Sequence, residues 1–268
     1  MADDEVFALF ASLAIGLVAA GSWYLRGLRA PRPRARGGRT ALLLAPPAGL
    51  ALLWVVLATA AAVEVRTDVR YQVLFVAMGT IWAFLLPRWL ALVGISYRDD
   101  ALERHNGAAG IALAGAVLGL VLVFAGSNMG EGPSIWNTVV TALAGTVALG
   151  LAGLALLTGT SLADAIAIER DAPSGLRFAG WIAACGIVLG RAAAGNWVST
   201  GAMMADMTRL GWPVLVLLAL AIALERPLRP RVSRPHPALL TAGVVPAVAY
   251  VVLSLAYVLL LPGWRGNG

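Results

Sequence analysis

The sequence predicts an all-α, polytopic transmembrane helix bundle of about eight spans, and three observations carry that prediction. The 268 residues are 60% hydrophobic and 13% charged, with a mean hydropathy of +0.82, whereas an average soluble domain is about half apolar and roughly a quarter charged. The apolar residues gather into blocks of about 20, the length that crosses a hydrocarbon core about 30 Å thick. These blocks are continuously apolar instead of alternating in ten-residue segments, which excludes a β-barrel.

In chain order the blocks run from 5 to 25, 41 to 63, 71 to 93, 107 to 126, 135 to 158, 175 to 195, 210 to 224 and 238 to 261. The first follows the acidic stretch MADDEV and shows no small-residue cleavage site, so it is expected to stay as a span and not to act as a signal. The seventh is the weakest, because its charge-free run is short and Gly211 and Pro213 sit at its start. The organisation expected is a two-span N-terminal extension with an arginine-rich linker (1–70), a membrane core (71–226) and a C-terminal span (227–268).

All twenty basic residues are arginine. Cytoplasmic loops carry the basic excess. The linker RGLRAPRPRARGGR holds Arg26, Arg29, Arg32, Arg34, Arg36 and Arg39 and is therefore placed inside. Alternation from there puts Arg88, Arg98, Arg104, Arg170, Arg177, Arg226, Arg229, Arg231 and Arg234 on the same side, leaving Arg66, Arg70, Arg191, Arg209 and Arg265 outside. Fifteen against five predicts an even number of spans, with both termini outside the cytoplasm. This placement serves topology; with no interleaved aromatics it is not a nucleic-acid surface. The linker could in addition meet anionic headgroups.

Nothing in the chain forms a catalytic constellation, and no cofactor or metal is expected. The single cysteine, Cys185, lies in an apolar span, where a small packing role is the ordinary one. His105 and His236 stand at helix mouths without HExxH spacing or a carboxylate pair. GSNMG at 126–130 has its serine misplaced for a nucleophile elbow and reads as a turn.

An internal repeat stands out. GIALAGAVLG (110–119) aligns with GLRFAGWIAA (175–184) at an offset of 65, matching Gly110 to Gly175, Ala114 to Ala179 and Gly115 to Gly180. Just upstream, Glu103-Arg104 pairs with Glu169-Arg170 if one residue is deleted. Each unit, about 103–166 and 169–230, would be a cytoplasmic mouth, a small-residue span, an outer loop with tryptophan (SIWN, GNW) and a returning span, which makes the repeats parallel. The segment from 41 to 93 has similar length and spacing but little shared sequence.

With Glu103 ahead of Asn106, Ala108, Ala109 and Gly115, and with Glu169, Gly175 and Gly180 in the second copy, the chain resembles the YjfL-type bacterial inner-membrane proteins, the domain of unknown function 350 family. The resemblance covers roughly 72–226 and implies a helical membrane core and an accessory role, sometimes linked to envelope stress. The second copy departs from the pattern, having DAPSG where asparagine is expected, with Asp171 and Pro173 able to start the helix.

On helices, Ala108, Ala112, Gly115, Gly119 and Gly126 form one small-residue stripe, and Gly175, Ala179, Ala183, Gly186, Gly190 and Ala194 form another. In lipid such stripes let backbones approach, so the two helices are expected to pack on each other or on a second subunit, with Val117 and Val188 facing lipid. At their heads, Asn106 or His105 caps one helix, and Glu103, Arg104, Glu169, Arg170 and Asp171 form either caps and surface pairs or a polar mouth. A simple cap at 106 would tolerate serine or aspartate. Two functions follow: a non-enzymatic accessory or structural subunit, homo-oligomeric or joined to other membrane subunits, or a channel or small-solute transporter at the repeat interface with Arg191, Asn196 and Asp206 at its outer mouth.

Overall fold

The computed structural model describes residues 1–29, 37–231, 233 and 237–261. It is 84% helix and has no strand among the described residues. Helix α1 covers Asp3–Arg29 and α2 Gly37–Thr59; a short α3, Val63–Thr67, leads to α4, Val69–Thr80. After α4 the chain continues through a π-helical turn (Ile81–Leu85) and a 3-10 stretch (Leu86–Val93). Pro87 explains that change, since it offers no N–H to the ladder and its ring presses on the preceding turn. A second π-helical turn, Tyr97–Glu103, precedes α5 (Gly107–Ser127) and α6 (Ile135–Gly159). The remainder comprises α7 (Leu162–Ala167), α8 (Ala172–Ala193), α9 (Thr200–Gly211), α10 (Pro213–Leu228) and, after a π-helical turn at Leu240–Val244, α11 (Val245–Leu260).

Among the described residues seven helices are long and apolar enough to cross a membrane, or eight when the pair α9 and α10, bent by 40°, counts as one span. The break falls at Trp212, between Gly211 and Pro213. The seventh span thus begins at Thr200, ten residues before its charge-free run, because Asp206 and Arg209 sit on a helix whose other residues are small or apolar.

Four helices form a parallel row. A Cβ built on Gly115 would lie 2.3 Å from Ala179 Cα, one on Gly119 2.6 Å from the Ile182 carbonyl oxygen, and one on Gly126 2.0 Å from the Gly190 carbonyl oxygen. From the other side, a Cβ built on Gly175 would lie 2.6 Å from the Ala108 carbonyl oxygen and one on Gly186 2.4 Å from the Gly119 carbonyl oxygen. The pairs advance together, so α5 and α8 run parallel with their backbones touching. α2 flanks α5 in the same direction, a Cβ built on Gly110 falling 2.6 Å from the Gly38 carbonyl oxygen and one on Gly49 3.3 Å from the Val121 side chain. α11 flanks α8 likewise, a Cβ built on Gly180 falling 2.5 Å from Ala247 Cα and one on Gly243 2.9 Å from Pro173 Cα.

This row overturns the expected outward placement of Val117 and Val188, both of which are fully buried. Helix α5 keeps only a narrow, partly exposed stripe of Ile111, Leu118 and Leu122: 83% of its span is buried against 28% for α1 and for the Leu240–Leu260 span. It is enclosed by α2, α8, α4 and α6, and Val117 stands one turn before Val121, which packs on Gly49. The outward apolar residues lie elsewhere, among them Phe7, Leu17, Leu151, Leu215 and Leu259, as contact with lipid requires.

Gly115→Leu or Gly186→Leu would force side-chain atoms between touching backbones, and each is expected to cost at least the ~1–3 kcal/mol typical of overpacking. Val147→Leu and Val252→Leu, at positions 58% and 55% exposed, should leave stability unchanged. Thermal unfolding in detergent, read by size-exclusion chromatography, checks this; equal losses at all four positions would count against the seam.

Candidate functional site

The local structure at the heads of α5 and α8 is set by two buried or half-buried caps. Asn106 is 1% exposed, and its Oδ1 accepts from the Ala109 N–H at 3.1 Å while Nδ2 donates to the carbonyls of Ile166 (2.7 Å) and Ala167 (3.2 Å). It therefore caps α5 and fastens α7 to it. Asp171 caps α8, accepting from the Ser174 N–H at 2.9 Å and the Ser174 hydroxyl at 2.6 Å.

The same backbone path recurs at an offset of 65. His105 (φ 54°) and Arg170 (φ 57°) both take the left-handed conformation that ends a helical turn. The Asn106 N–H donates to the Asp100 carbonyl and the Asp171 N–H to the Ala165 carbonyl, each at 2.9 Å. Ser96 and Ser161 precede the turns before these caps, and at the far end Ser134 and Ser199 cap α6 and α9 with nearly the same backbone angles. In this register Arg104 corresponds to Glu169 with no deletion, so matching the Glu-Arg pairs by sequence shifts them by one. Glu103, Arg104, Glu169 and Arg170 are all exposed, and nothing in the backbone path constrains their order.

Glu103 pairs with Arg98 at 2.8 Å and Arg104 with Asp100 at 3.1 Å. A cavity of about 420 Å³ at this end is lined by Asp99, Asp100, Arg104 and Arg170, among others, but not by Glu103 or Glu169. Nearby, burial pushes the Tyr97 phenol well above its ordinary value; its hydroxyl donates to the Trp23 carbonyl, and its ring stacks on Trp23 at 4.0 Å.

At the opposite end the two connecting loops are laced together. The Glu131 N–H donates to Asn196 Oδ1 at 2.9 Å, the Trp197 N–H donates to the Glu131 carbonyl at 2.7 Å, and Gly130 packs on the Gly195 backbone. Asp206 Oδ2 lies 3.1 Å from where a Gly195 Cβ would stand. Arg191 is half-buried in the last turn of α8.

The group with most chemical content is one that sequence reading did not single out. Arg177, 3% exposed, donates from Nη2 to both Glu225 oxygens (3.0 and 3.1 Å) and to the Ser174 hydroxyl (3.0 Å). Nη1 donates to the Ala242 carbonyl at 2.6 Å. Pro246 has no N–H for the carbonyl four residues before it, which is that of Ala242; the guanidinium supplies the missing donor where α11 opens with its π-helical turn. Asp171, Ser174, Arg177 and Glu225 thus form one chain of polar contacts from the α8 cap to α10 and α11. Arg177 Nε and Trp181 Nε1 lack partners among the described residues. Both residues line a cavity of about 10 Å³, beside Glu225 and Tyr250, a size suited to one water. The equivalent positions 65 residues earlier are Ala109, Ala112 and Thr160, so only one copy carries the charges. Arginine counting assigned Arg177 to a loop; the available signal was Glu225, a carboxylate ending the apolar run VLVLLALAIAL.

Neither a family model, nor a curated protein, nor a solved structure matches this chain.

Breaking the buried pair from one side is expected to be costly. Glu225→Leu strands a buried guanidinium and should lose about 3–5 kcal/mol. Arg177→Met with Glu225→Leu should recover much of that, short of the Ala242 hydrogen bond, and the comparison is read from thermal stability in detergent. Equal single and double losses would mean the two side chains are not coupled. Asn106→Asp keeps the cap but turns a carboxylate toward the Ile166 and Ala167 carbonyls, so it should destabilise more than the ~1 kcal/mol of a lost cap; stability equal to that of the unaltered protein would show the tether to be idle.

Proposed function

We propose that the chain is a non-enzymatic integral protein of the bacterial inner membrane, acting as an accessory or structural subunit. The closed α5–α8 seam carries this reading. A solute path between repeated units would run along that seam, yet at Gly115, Gly119, Gly126 and Gly186 a single added methyl would meet backbone atoms within 2.6 Å. Backbones in van der Waals contact leave no lumen. The recurrence of caps, left-handed residues and helix starts 65 residues apart supports descent of the two halves from one two-span unit. The resemblance to the YjfL-type family belongs to this reading, as does the orientation set by arginine, with both termini outside the cytoplasm.

A second reading is favoured by one observation. Ionisable residues inside membrane spans mark pathways for ions or protons, and Arg177 and Glu225 lie in spans beside a small cavity. A channel or transporter would then use the contact among α8, α10 and α11 and not the seam.

Purified protein in liposomes should give no flux of K⁺, Na⁺, H⁺ or Cl⁻ above empty vesicles, and the same preparation should carry copurifying membrane subunits. Flux abolished by Arg177→Met with Glu225→Leu would replace the first reading by the second. For orientation, cysteines placed singly at 105 and 131 in a Cys185→Ala background are labelled with an impermeant reagent in whole cells. Position 131 should react and 105 should be protected; the reverse would invert the topology.

A further inference from the structure

We propose that the cavity between the ends of α6 and α10, at the end of the bundle where Asn106 and Asp171 cap α5 and α8, binds an anionic phospholipid by its headgroup phosphate. This goes beyond the accessory role and does not depend on it. The cavity holds about 540 Å³, within the range of small-molecule sites. Its lining includes Thr158, Ser161, Ile222, Arg226 and Arg229.

α6 stops at Gly159 and α10 at Leu228, each the end of a span, so the cavity lies at the depth of the headgroups. Both helices lead a lipid into it. Residues three, four or seven apart share a helix face, and on α10 that spacing joins Leu215 (66% exposed) and Ile222 (42%) to Arg226 and Arg229. On α6 it joins Leu151 (62%) and Leu154 (41%) to Thr158. Each face is apolar and open along the span and turns polar at its end. Ile222 is both exposed and part of the cavity wall, so the cavity opens onto the surface that meets acyl chains.

The charge of the cavity is positive. Glu225 also lines it, but both carboxylate oxygens accept from the Arg177 guanidinium, which leaves that pair neutral. Arg229 donates from Nη1 to the Ser161 hydroxyl at 3.1 Å, and this fixes one guanidinium across the gap from α10 to the residue before α7. The Arg231 guanidinium turns back to the Arg226 carbonyl. The Arg226 side chain makes no hydrogen bond or ion pair among the described residues.

Arginines near a helix end ordinarily answer its carbonyl dipole, about half a negative charge per helix, and the two helix ends here therefore account for about one of the two positive charges. About one is left, the complement of a single phosphodiester. Guanidinium groups suit that ligand because they meet phosphate through paired N–H bonds. An acidic peptide would satisfy the charge but leave the exposed leucines of both faces uncovered, whereas the acyl chains of a lipid cover them.

The test is native mass spectrometry of the full chain in detergent, titrated with phosphatidylglycerol and separately with phosphatidylcholine of the same acyl chains. One phosphatidylglycerol should bind about tenfold or more tightly than phosphatidylcholine, as two basic groups at a membrane surface provide. Arg226→Gln with Arg229→Gln should erase that preference, and Arg226→Gln alone, at the side chain without a protein partner, should already weaken it. Arg26→Gln with Arg29→Gln, which removes the same charge at the same end but away from the cavity, should keep it. All four arginines are exposed, and thermal stability without added lipid, measured in parallel, should be the same for every variant. Equal binding of the two lipids, or equal loss in the two double variants, would overturn the site in favour of a diffuse basic surface. Displacement of the lipid by millimolar inorganic phosphate would overturn it in favour of a free anion.

Discussion

The contact of α5 with α8, backbone against backbone along their length, is the interaction on which the rest of the bundle depends. Lipid gives helices no hydrophobic reason to associate, so the attraction must come from many short contacts, each small by itself. Gly115, Gly119, Gly126, Gly175, Gly186 and Gly190 permit those contacts by presenting no Cβ. The row is extended on both sides by α2 and α11, again through glycine. With the interior assembled from backbones, α1, α6 and α10 can carry ordinary leucine and valine outward, and they do.

A second constraint acts on the helix ends and the prolines. Within a membrane every backbone donor and acceptor needs a protein partner, and the chain meets this with side chains that have other contacts as well. Asn106 satisfies an N–H at the start of α5 and two carbonyls of the α7 segment. Arg177 satisfies the carbonyl that Pro246 leaves open while neutralising Glu225. Both residues therefore hold several elements in register, and their burial follows from that service to the backbone more than from their own chemistry.

Much of the fold was legible because apolar length and small-residue spacing act directly on structure in lipid. The eight blocks correspond to the spans with two instructive differences. The seventh starts at Thr200 because a helix can carry Asp206 and Arg209 on one side, which a charge-free window cannot register. Val117 and Val188 are enclosed because a stripe marks one interface only, while neighbouring helices cover most of α5. The candidate mouth was legible at Asn106 and Asp171, where capping chemistry is local, and much less so at Glu103 and Glu169, whose partners depend on how a surface turn lies. Arg177 was read as a topology signal because a count of arginines cannot distinguish one in a loop from one a helical turn inside a span. Glu225 became visible only when folding brought it across from α10.

The backbone correspondence at this offset is not matched by the side chains it carries. Caps, left-handed residues and helix starts coincide at an offset of 65, yet Ser174, Arg177 and Glu225 face Ala109, Ala112 and Thr160 at the equivalent positions. The charged copy is the one that packs on α11, and the apolar copy is the one that packs on α2. The difference is thus matched to the neighbour: α2 has Pro46 and Pro47 in its interior but touches α5 through Gly38 and Gly49, whereas α11 begins with a proline whose orphaned carbonyl turns toward α8. A guanidinium is the side chain that can answer that carbonyl and still reach a carboxylate on a third helix, which fixes α10 against α8 below the 40° bend. The bent span is therefore held at its Glu225 end by a single buried arginine, while the break itself falls between Gly211 and Pro213.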